Sequence, residues 1–551
     1  MMSAGYDYVI VGGGTSGCVL AARLSENPSA RVCLIEAGGR DTNPLIHMPV
    51  GFAKMTTGPL TWGLKTAPQK HANNREILYA QAKVLGGGSS INAEVFTRGV
   101  PADYDRWVEE GAEGWGFKDV QKYFLRSEGN SILSGAWHGT DGPLGVSNIP
   151  EPQRMTRAFV QSCQEFGIPY NPDFNGPVQE GAGVYQTTTR DNRRCSAAVG
   201  YLRPALKRPN LTVVTGALVM RIVFEGRRAV GVDYEAGGNR TTARAESEVL
   251  LTSGAIGTPK LMMLSGVGPA DALKSHGIEV VQDMAGVGQN LQDHFGVDIV
   301  AELKNHDSLD KYNKLHWSIW AGIQYTLFKS GPITSNLVEG GAFWYGDKAS
   351  RITSNVVQGG AFWYGDEASP TPDLQFHFLA GAGAEAGVPS VPKGASGITL
   401  NSYTLRPKSR GTVTLRSADP RALPVIDPNF LGDPDDVRIS AEGVKISQEI
   451  FGQPSLQKYI KTLRFPDTNV RTPEDYVAYA RQYGRTSYHP TCTCKMGRDE
   501  MSVVDPQLRV HGLDGIRICD SSTMPSLVGS NTNAVTIMIG EKASDMIRGN
   551  A

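Results

Sequence analysis

The sequence predicts an α/β fold combined with an α+β one: a discontinuous Rossmann-like dinucleotide-binding domain joined to a substrate domain built on an antiparallel sheet. Three observations carry this expectation. An apolar run, Tyr8-Val9-Ile10-Val11, leads into Gly12-Gly13-Gly14-Thr15-Ser16-Gly17 and then into a helix-prone stretch from Cys18 to Leu24. Strands of the same character recur far downstream, at Glu248–Thr252 and Ile516–Asp520. Between about residues 300 and 495 the pattern changes to the period-two alternation of an antiparallel sheet.

In the opening turn, Gly12 permits the tight strand-to-helix reversal, Gly14 lets backbone approach a pyrophosphate, and Gly17 lets helix and strand pack closely. The free N–H groups of the helix start then face phosphate. The next strand, Arg31-Val32-Cys33-Leu34-Ile35, ends at Glu36, whose carboxylate can accept the hydroxyl protons of an adenosine ribose. This motif alone leaves NAD and FAD both open. Leu211–Val214, Ala217–Val223 and Glu248–Thr252 read as further strands of the same domain, the last running into the small-residue turn Ser253–Pro259. The expected organisation is 1–298 for the dinucleotide domain, with excursions near 40–80 and 150–210, then 299–498 for the substrate domain and 499–551 for a C-terminal return.

A chain of 551 residues exceeds one ordinary core, which fits two packed domains. Lys plus Arg number 54 against 55 Asp plus Glu, so the overall charge leaves no basic footprint for nucleic acid or for an anionic membrane, and a small neutral partner fits better. The first strand occupies the place of a signal peptide, and no apolar run reaches the roughly 18 residues of a membrane helix; weak peripheral membrane association stays open. Seven scattered cysteines without a Cys-x-x-Cys point away from disulfides and from a metal site, and toward a reducing, cytoplasmic compartment.

In the substrate domain, Leu374-Gln375-Phe376-His377-Phe378 alternates, and Ile398–Leu405 is expected to pair with Thr412–Leu415 across the Lys408-Ser409-Arg410-Gly411 turn. Ile333–Arg351 is followed by a 19-residue tandem copy, Ile352–Pro370, in which Phe343-Trp344-Tyr345-Gly346-Asp347 recurs as Phe362-Trp363-Tyr364-Gly365-Asp366. Two copies do not make a solenoid; a surface loop, an added hairpin and a lid are the open readings.

Two further clusters carry chemistry. Lys83-Val84-Leu85-Gly86-Gly87-Gly88-Ser89-Ser90-Ile91-Asn92 lets backbone approach a flat ring while hydroxyls and an amide meet its heteroatoms. Gly254 to Gly268 opens a helix after a strand and closes it with Ser265-Gly266. Both resemble the signatures of the glucose-methanol-choline family of FAD oxidoreductases, and the likeness extends through Tyr104–Trp107, Gly286–His294, Tyr488–Gly497 and Asn531-Thr532-Asn533.

The resemblance implies a single FAD. By motif, Gly12, Gly14, Thr15, Ser16, Glu36 and Ala37 hold the adenosine and pyrophosphate, with Val219 meeting the adenine through its backbone. Val84, Gly88, Asn92, Ala93 and Val95 line the flavin, with Asp520 and Thr532 arriving from the C-terminal return. Some members attach FAD through a histidine before the signature asparagine; Ile91 stands there, so non-covalent FAD is expected. The implied reaction is hydride transfer from an alcohol carbon to flavin N5, with His489 as base and Asn533 holding the substrate oxygen; Asn533 could instead cap the helix it precedes. At a finer level Ile91–Gly99, Asn171–Gly176 and Tyr488–Gly497 resemble bacterial FAD-dependent L-sorbose dehydrogenases, with a quinone-like or dye acceptor. Other primary alcohols, polyethylene glycols, and a non-redox flavin lyase are the alternatives.

Overall fold

The computed structural model describes residues 5–346, 371–467 and 469–549. Gly5–Val11 is the centre of its first sheet, flanked by parallel Val32–Glu36 on one side and Asn239–Leu251 on the other. Because helices cover a parallel sheet on both faces, Val9, Ile10 and Val11 are all buried, which explains the unbroken apolar run in place of alternation. Leu211–Thr215 extends this sheet beyond Val32–Glu36. The long strand Asn239–Leu251 changes partners along its length. Its first half closes an antiparallel meander with Arg228–Ala236 and Ala217–Glu225, and its last residues run parallel to Ile516–Ile518. The C-terminal return is therefore a strand of the first sheet, more than 260 residues after its neighbour, and is followed by the helix Asn533–Arg548 packed on Thr15–Leu24.

The second sheet is antiparallel. Among the described residues its order is Ile460–Phe465, Phe295–Leu303, Gly397–Thr404, Leu374–Leu379, Val338–Trp344 and Gly181–Val184. Pro434–Phe451 covers one face, and Arg154–Phe166 packs against Val338–Trp344, so the 150–210 segment contributes both a strand and a helix here. Both faces are covered, and Phe295–Leu303 is buried at every position. Each sheet organises its own apolar cluster, one around Val9 and Leu250, the other around Ile299 and Phe376.

Two expectations need correction. The 298/299 boundary falls inside the continuous strand Phe295–Leu303, so the divide lies before Phe295. Gly397–Thr404 does not fold back onto Thr412–Thr414, which pairs with Val425–Asp427. The intervening chain is captured elsewhere: Arg406 binds Asp103 (Nη2–Oδ1 2.8 Å), and the Lys408 and Ser409 N–H groups both donate to Asp436 at 2.8 Å. Of the tandem repeat, the first copy supplies the strand Val338–Trp344; the second copy, Ile352–Pro370, lies outside the described residues.

Candidate active site

A cavity of about 370 Å³ lies between the two sheets, walled by the glycine turn, the Gly86–Asn92 segment, strand ends of the second sheet and the residues around His489. At the turn, Gly12 has φ +108° and a Cβ there would lie 2.6 Å from the Thr252 carbonyl, while one on Gly17 would lie 2.0 Å from the Gly12 carbonyl. The backbone is thereby pressed against itself. The helix Thr15–Leu24 begins with no side-chain cap and no acidic residue in its first turn, which leaves its N–H groups for an anion. Gly12, Gly14, Thr15, Ser16, Ala37 and Val219 all line this part of the wall. Val219 sits beside a register shift in the Ala217–Glu225 strand.

Glu36 is buried, and its two carboxylate oxygens accept from the Gly13 and Gly38 N–H groups at 2.7 and 2.6 Å. It therefore fixes the turn as well as lining the cavity, and each oxygen retains a second lone pair for a ribose hydroxyl. Burial pushes its carboxyl upward while the two N–H bonds oppose this.

Val84, Gly88, Asn92, Ala93, Val95, Asp520 and Thr532 also line the cavity, as does Ile91. Gly88 tests the fit of a flat ring: a Cβ added there meets nothing within 4 Å, so no protein contact demands the glycine and the space it leaves faces the cavity. At Gly14 the nearest protein atom to such a Cβ is the Thr252 carbonyl at 3.5 Å, an ordinary contact. Open glycines above uncapped helix N–H groups suit a dinucleotide. Asp520 has a different function from direct contact by its carboxylate, which is committed to Gly254 N–H (2.8 Å), Thr258 Oγ1 (2.7 Å) and Ser522 N–H (2.8 Å). It ties the C-terminal return to the start of the Gly254–Leu264 helix.

His489 marks the other end. Its Nδ1 lies 2.9 Å from His294 Nδ1, and His294 Nε2 lies 3.0 Å from the Leu405 carbonyl. A carbonyl only accepts, so His294 carries its proton on Nε2 and presents a bare Nδ1. His489 must then donate from Nδ1, which leaves its Nε2 with a lone pair. The environment agrees: Asn531 Nδ2 is 3.3 Å from His489 Nε2, while Asn531 Oδ1 accepts from Thr97 Oγ1 (2.9 Å) and Gln375 Nε2 (3.1 Å). Burial lowers His294 to about 3, and burial together with His294 holds His489 well below the usual histidine value. The pair is neutral, and its one free basic nitrogen meets Asn531.

The loop bearing His489 is itself held. Tyr488 has φ +64°, and Asp293 Oδ1 accepts the His489 N–H at 2.8 Å while Oδ2 accepts from Tyr79 (2.6 Å) and Thr486. A left-handed tyrosine costs about 1–3 kcal/mol unless its surroundings fix it, and this buried carboxylate does so.

The structure does not bring Asn533 to His489. Asn533 is the first residue of its helix, and its Oδ1 accepts from Thr15 Oγ1 at 3.2 Å, at the glycine turn; its side chain makes no cap. Asn531, two residues earlier, takes the position expected of Asn533. The helix start separates them, since Asn531 precedes it and Asn533 already follows its axis. His294, Asp293 and Asn531 were legible only as members of motifs. Glu94, within the Ile91–Gly99 stretch, gives no sequence signal of its own: fully buried at φ +61°, it lies 3.2 Å from Arg194 Nε, and Arg194 in turn donates to Asn92 Oδ1 at 2.7 Å. Burial raises the Glu94 carboxyl to about 7 against the pull of Arg194.

The wall also carries the polar side chains of His377, Glu385, Asn401, Arg485 and Ser487, interspersed with Val338, Leu379 and Pro490. Arg485 donates to Asp298 at 2.6 Å and lies 3.4 Å from Glu385. Cys492 and Cys494 are buried free thiols, and burial raises the first to about 12.

Family models described as GMC oxidoreductase match residues 6–296 and 407–540. The chain is 43% identical over 547 residues to an "Alcohol dehydrogenase [acceptor]" of Pseudomonas putida, covering 98% of this chain and 95% of that protein. It is 41% identical over 548 residues to an "Oxygen-dependent choline dehydrogenase" of Brucella anthropi, with the same coverage. A solved FAD-dependent oxidoreductase from Chaetomium thermophilum superposes with a TM-score of 0.88 at 28% identity, covering 99% of each chain.

Proposed function

Because the chain belongs to the GMC oxidoreductase family, whose cofactor is FAD, we propose that it oxidises a polar primary alcohol, with His489 as the base and Asn531 as the partner of the substrate oxygen. The observation that carries this reading is His489 Nε2, the ring nitrogen of the histidine pair not spent on the other ring or on Leu405, standing 3.3 Å from the Asn531 amide on the cavity wall. An alcohol hydroxyl entering there donates to Nε2 and accepts from Asn531 Nδ2, replacing the contact the two now make. Loss of the hydroxyl proton to Nε2 concentrates charge on the oxygen, and the amide N–H stabilises it. FAD, when bound, supplies the acceptor for the hydrogen removed from the alcohol carbon. His294 keeps His489 in the tautomer that this step needs, and His294 is thus a positioning residue.

Within this class the polar side chains of the wall support a small neutral polyol or sugar, with the C1 hydroxyl of L-sorbose, giving L-sorbosone, as the finer reading. Ionic and amide groups at Arg485, Glu385 and Asn401 match several hydroxyls better than an alkyl chain. Ile91 offers no nucleophile, so FAD is held non-covalently, and a quinone-like or dye acceptor reoxidises it. Anaerobic addition of L-sorbose, other polyols and alkanols to the holoenzyme tests both levels. Bleaching by polyols and sugars ahead of alkanols is expected. Preferential bleaching by alkanols would remove the finer reading, and bleaching by no alcohol would remove the whole. Yellow colour remaining with acid-precipitated protein would overturn non-covalent binding.

A further inference from the structure

Large apolar side chains exposed singly on a protein surface are ordinary, but here they converge. Seven of the 15 exposed large apolar residues among the described residues lie on one helix, Leu315–Phe328. Leu315, Leu327 and Phe328 are 75, 66 and 72% exposed, and Trp320 is 58% exposed. At about 100° per residue, Leu315, Ile319, Ile323, Leu327 and Trp320 fall within an arc of about 140°. The edge that the helix does bury, Ala321 and Tyr325, lies opposite the middle of that arc. The helix is thus attached by its narrow side, through Tyr325 Oη to the His47 and Asn192 carbonyls at 3.1 and 3.3 Å. His316 and Thr326 are the polar members of the outward face.

The charged residues of the helix segment itself have one sign. Lys311 and Lys314 precede it, Lys329 follows it, and Arg193 lies under its buried edge close enough to act on Tyr325. None of the four forms an ion pair among the described residues, and no Asp or Glu occurs from Lys311 to Val338. Asp310 is already engaged by the Gly397 and Ala382 N–H groups. A helix of 14 residues spans about 21 Å, too short to cross a bilayer.

We propose that the Leu315–Phe328 helix lies in the surface of an anionic lipid bilayer, Trp320 and the aliphatic side chains of its outward arc entering the interface and its flanking lysines meeting the headgroups. An apolar face bearing tryptophan with basic residues at its margins is the composition that binds such surfaces. A second copy of the chain fits poorly: two-fold pairing in either direction sets lysines against lysines, with no carboxylate between them. Residues 347–370 are a weaker occupant as well, because they join the far end of Val338–Trp344, about 23 Å along that strand from the end connected to the helix. Gly331 to Thr334 links the helix to the Pro49–Lys54 segment, whose Phe52 lines the cavity, so the bilayer would lie against one cavity wall.

The test is flotation of the FAD-loaded protein with phosphatidylcholine vesicles, with and without phosphatidylglycerol. Partitioning at least ~10-fold stronger on the anionic vesicles is expected, since each basic residue near such a surface contributes roughly five-fold. It should fall away at ~0.5 M salt. W320Q/I323Q/L327Q should lose vesicle binding and K311E/K314E the preference for anionic lipid, both with flavin content and turnover unchanged. Absent or charge-independent partitioning of the unaltered protein overturns the proposal, as does retention of binding by the triple variant. A change from dimer to monomer on the triple substitution would instead identify a second copy as the occupant. Vesicle binding that emerges only after deletion of 352–370 would identify that segment.

Discussion

At the glycine turn, Gly12, Gly17 and Glu36 come from one stretch of chain and hold one another through backbone groups. At the histidine end, His489 takes its partners from Asp293, His294 and Asn531, while His294 is oriented by Leu405. The first region is mainly a local motif, with Thr252 and Val219 as its contributions from distant chain. The second is an assembly of four separated segments, and its chemistry depends on their registration to within a hydrogen-bond length. FAD retention and turnover are therefore expected to be separable by mutation.

The sharpest way to break the comparison is His489→Ala, expected to lower turnover by about 10²–10⁴-fold with FAD content unchanged, read from the flavin absorbance of the purified protein. Loss of flavin along with activity would show that the two ends are not independent. A paired measurement on the two asparagines comes next. Asn531→Ala should cost roughly 10–100-fold in turnover and keep FAD, as expected for loss of a buried partner to a developing charge. Asn533→Ala should weaken FAD retention, measured by dilution or thermal release, and leave the turnover of the loaded enzyme within a few fold. The reverse pattern would restore Asn533 to the reactive end.

A smaller effect is expected at His294, which touches no substrate in this reading. His294→Ala strands the His489 Nδ1 proton without its acceptor, and a loss of about 10-fold is expected. A positioning role predicts a second signature: the acid limb of kcat/KM should move, because His294 contacts the His489 ring at Nδ1 and so bears on its proton affinity. A uniform fall at every pH would reduce His294 to a packing residue.

The smallest effect is a dependence of stability on pH. Burial holds His294 and His377 down to about 3, whereas histidine in the unfolded chain takes up its proton near pH 6.5. Between these values the unfolded state binds more protons, so the histidines make stability fall as pH is lowered from 6.5 toward 3. Asp293 and Glu94, raised to about 6 and 7, act with the opposite sign because the folded state keeps their protons. Melting of the holoenzyme across pH 5–7 should thus fall more gently toward acid in His377→Gln than in the unaltered protein. An unchanged slope would show that His377 takes up a proton in the fold.

Much of the first region was legible in the residues. Tyr8–Val11, the glycine turn and Glu36 carry their own geometry, because a tight turn, a close helix and a strand-end carboxylate each require particular residue types at fixed spacing. The downstream strands Glu248–Thr252 and Ile516–Ile518 were legible as strands by their apolar runs. The fate of Gly397–Thr404 was not, since Asp103 and Asp436, which draw the following residues away, are remote in sequence. Two asparagines flanking Thr532 look equivalent in a string of letters, and only the start of the helix, falling between them, sends one to Thr15 and the other to His489.

Local sterics and apolar periodicity act over short spans, and so the residues alone specify the glycine turn with its strand-end Glu36 and the division into two sheets. Packing between distant parts of the chain sets which asparagine stands beside His489 and which ring nitrogen of His489 faces it, and it leaves one apolar helix facing outward. Those outcomes depend on a carbonyl at Leu405, an amide at Asn531 and the narrow contact through Tyr325, and proximity of that kind is set by packing between distant segments.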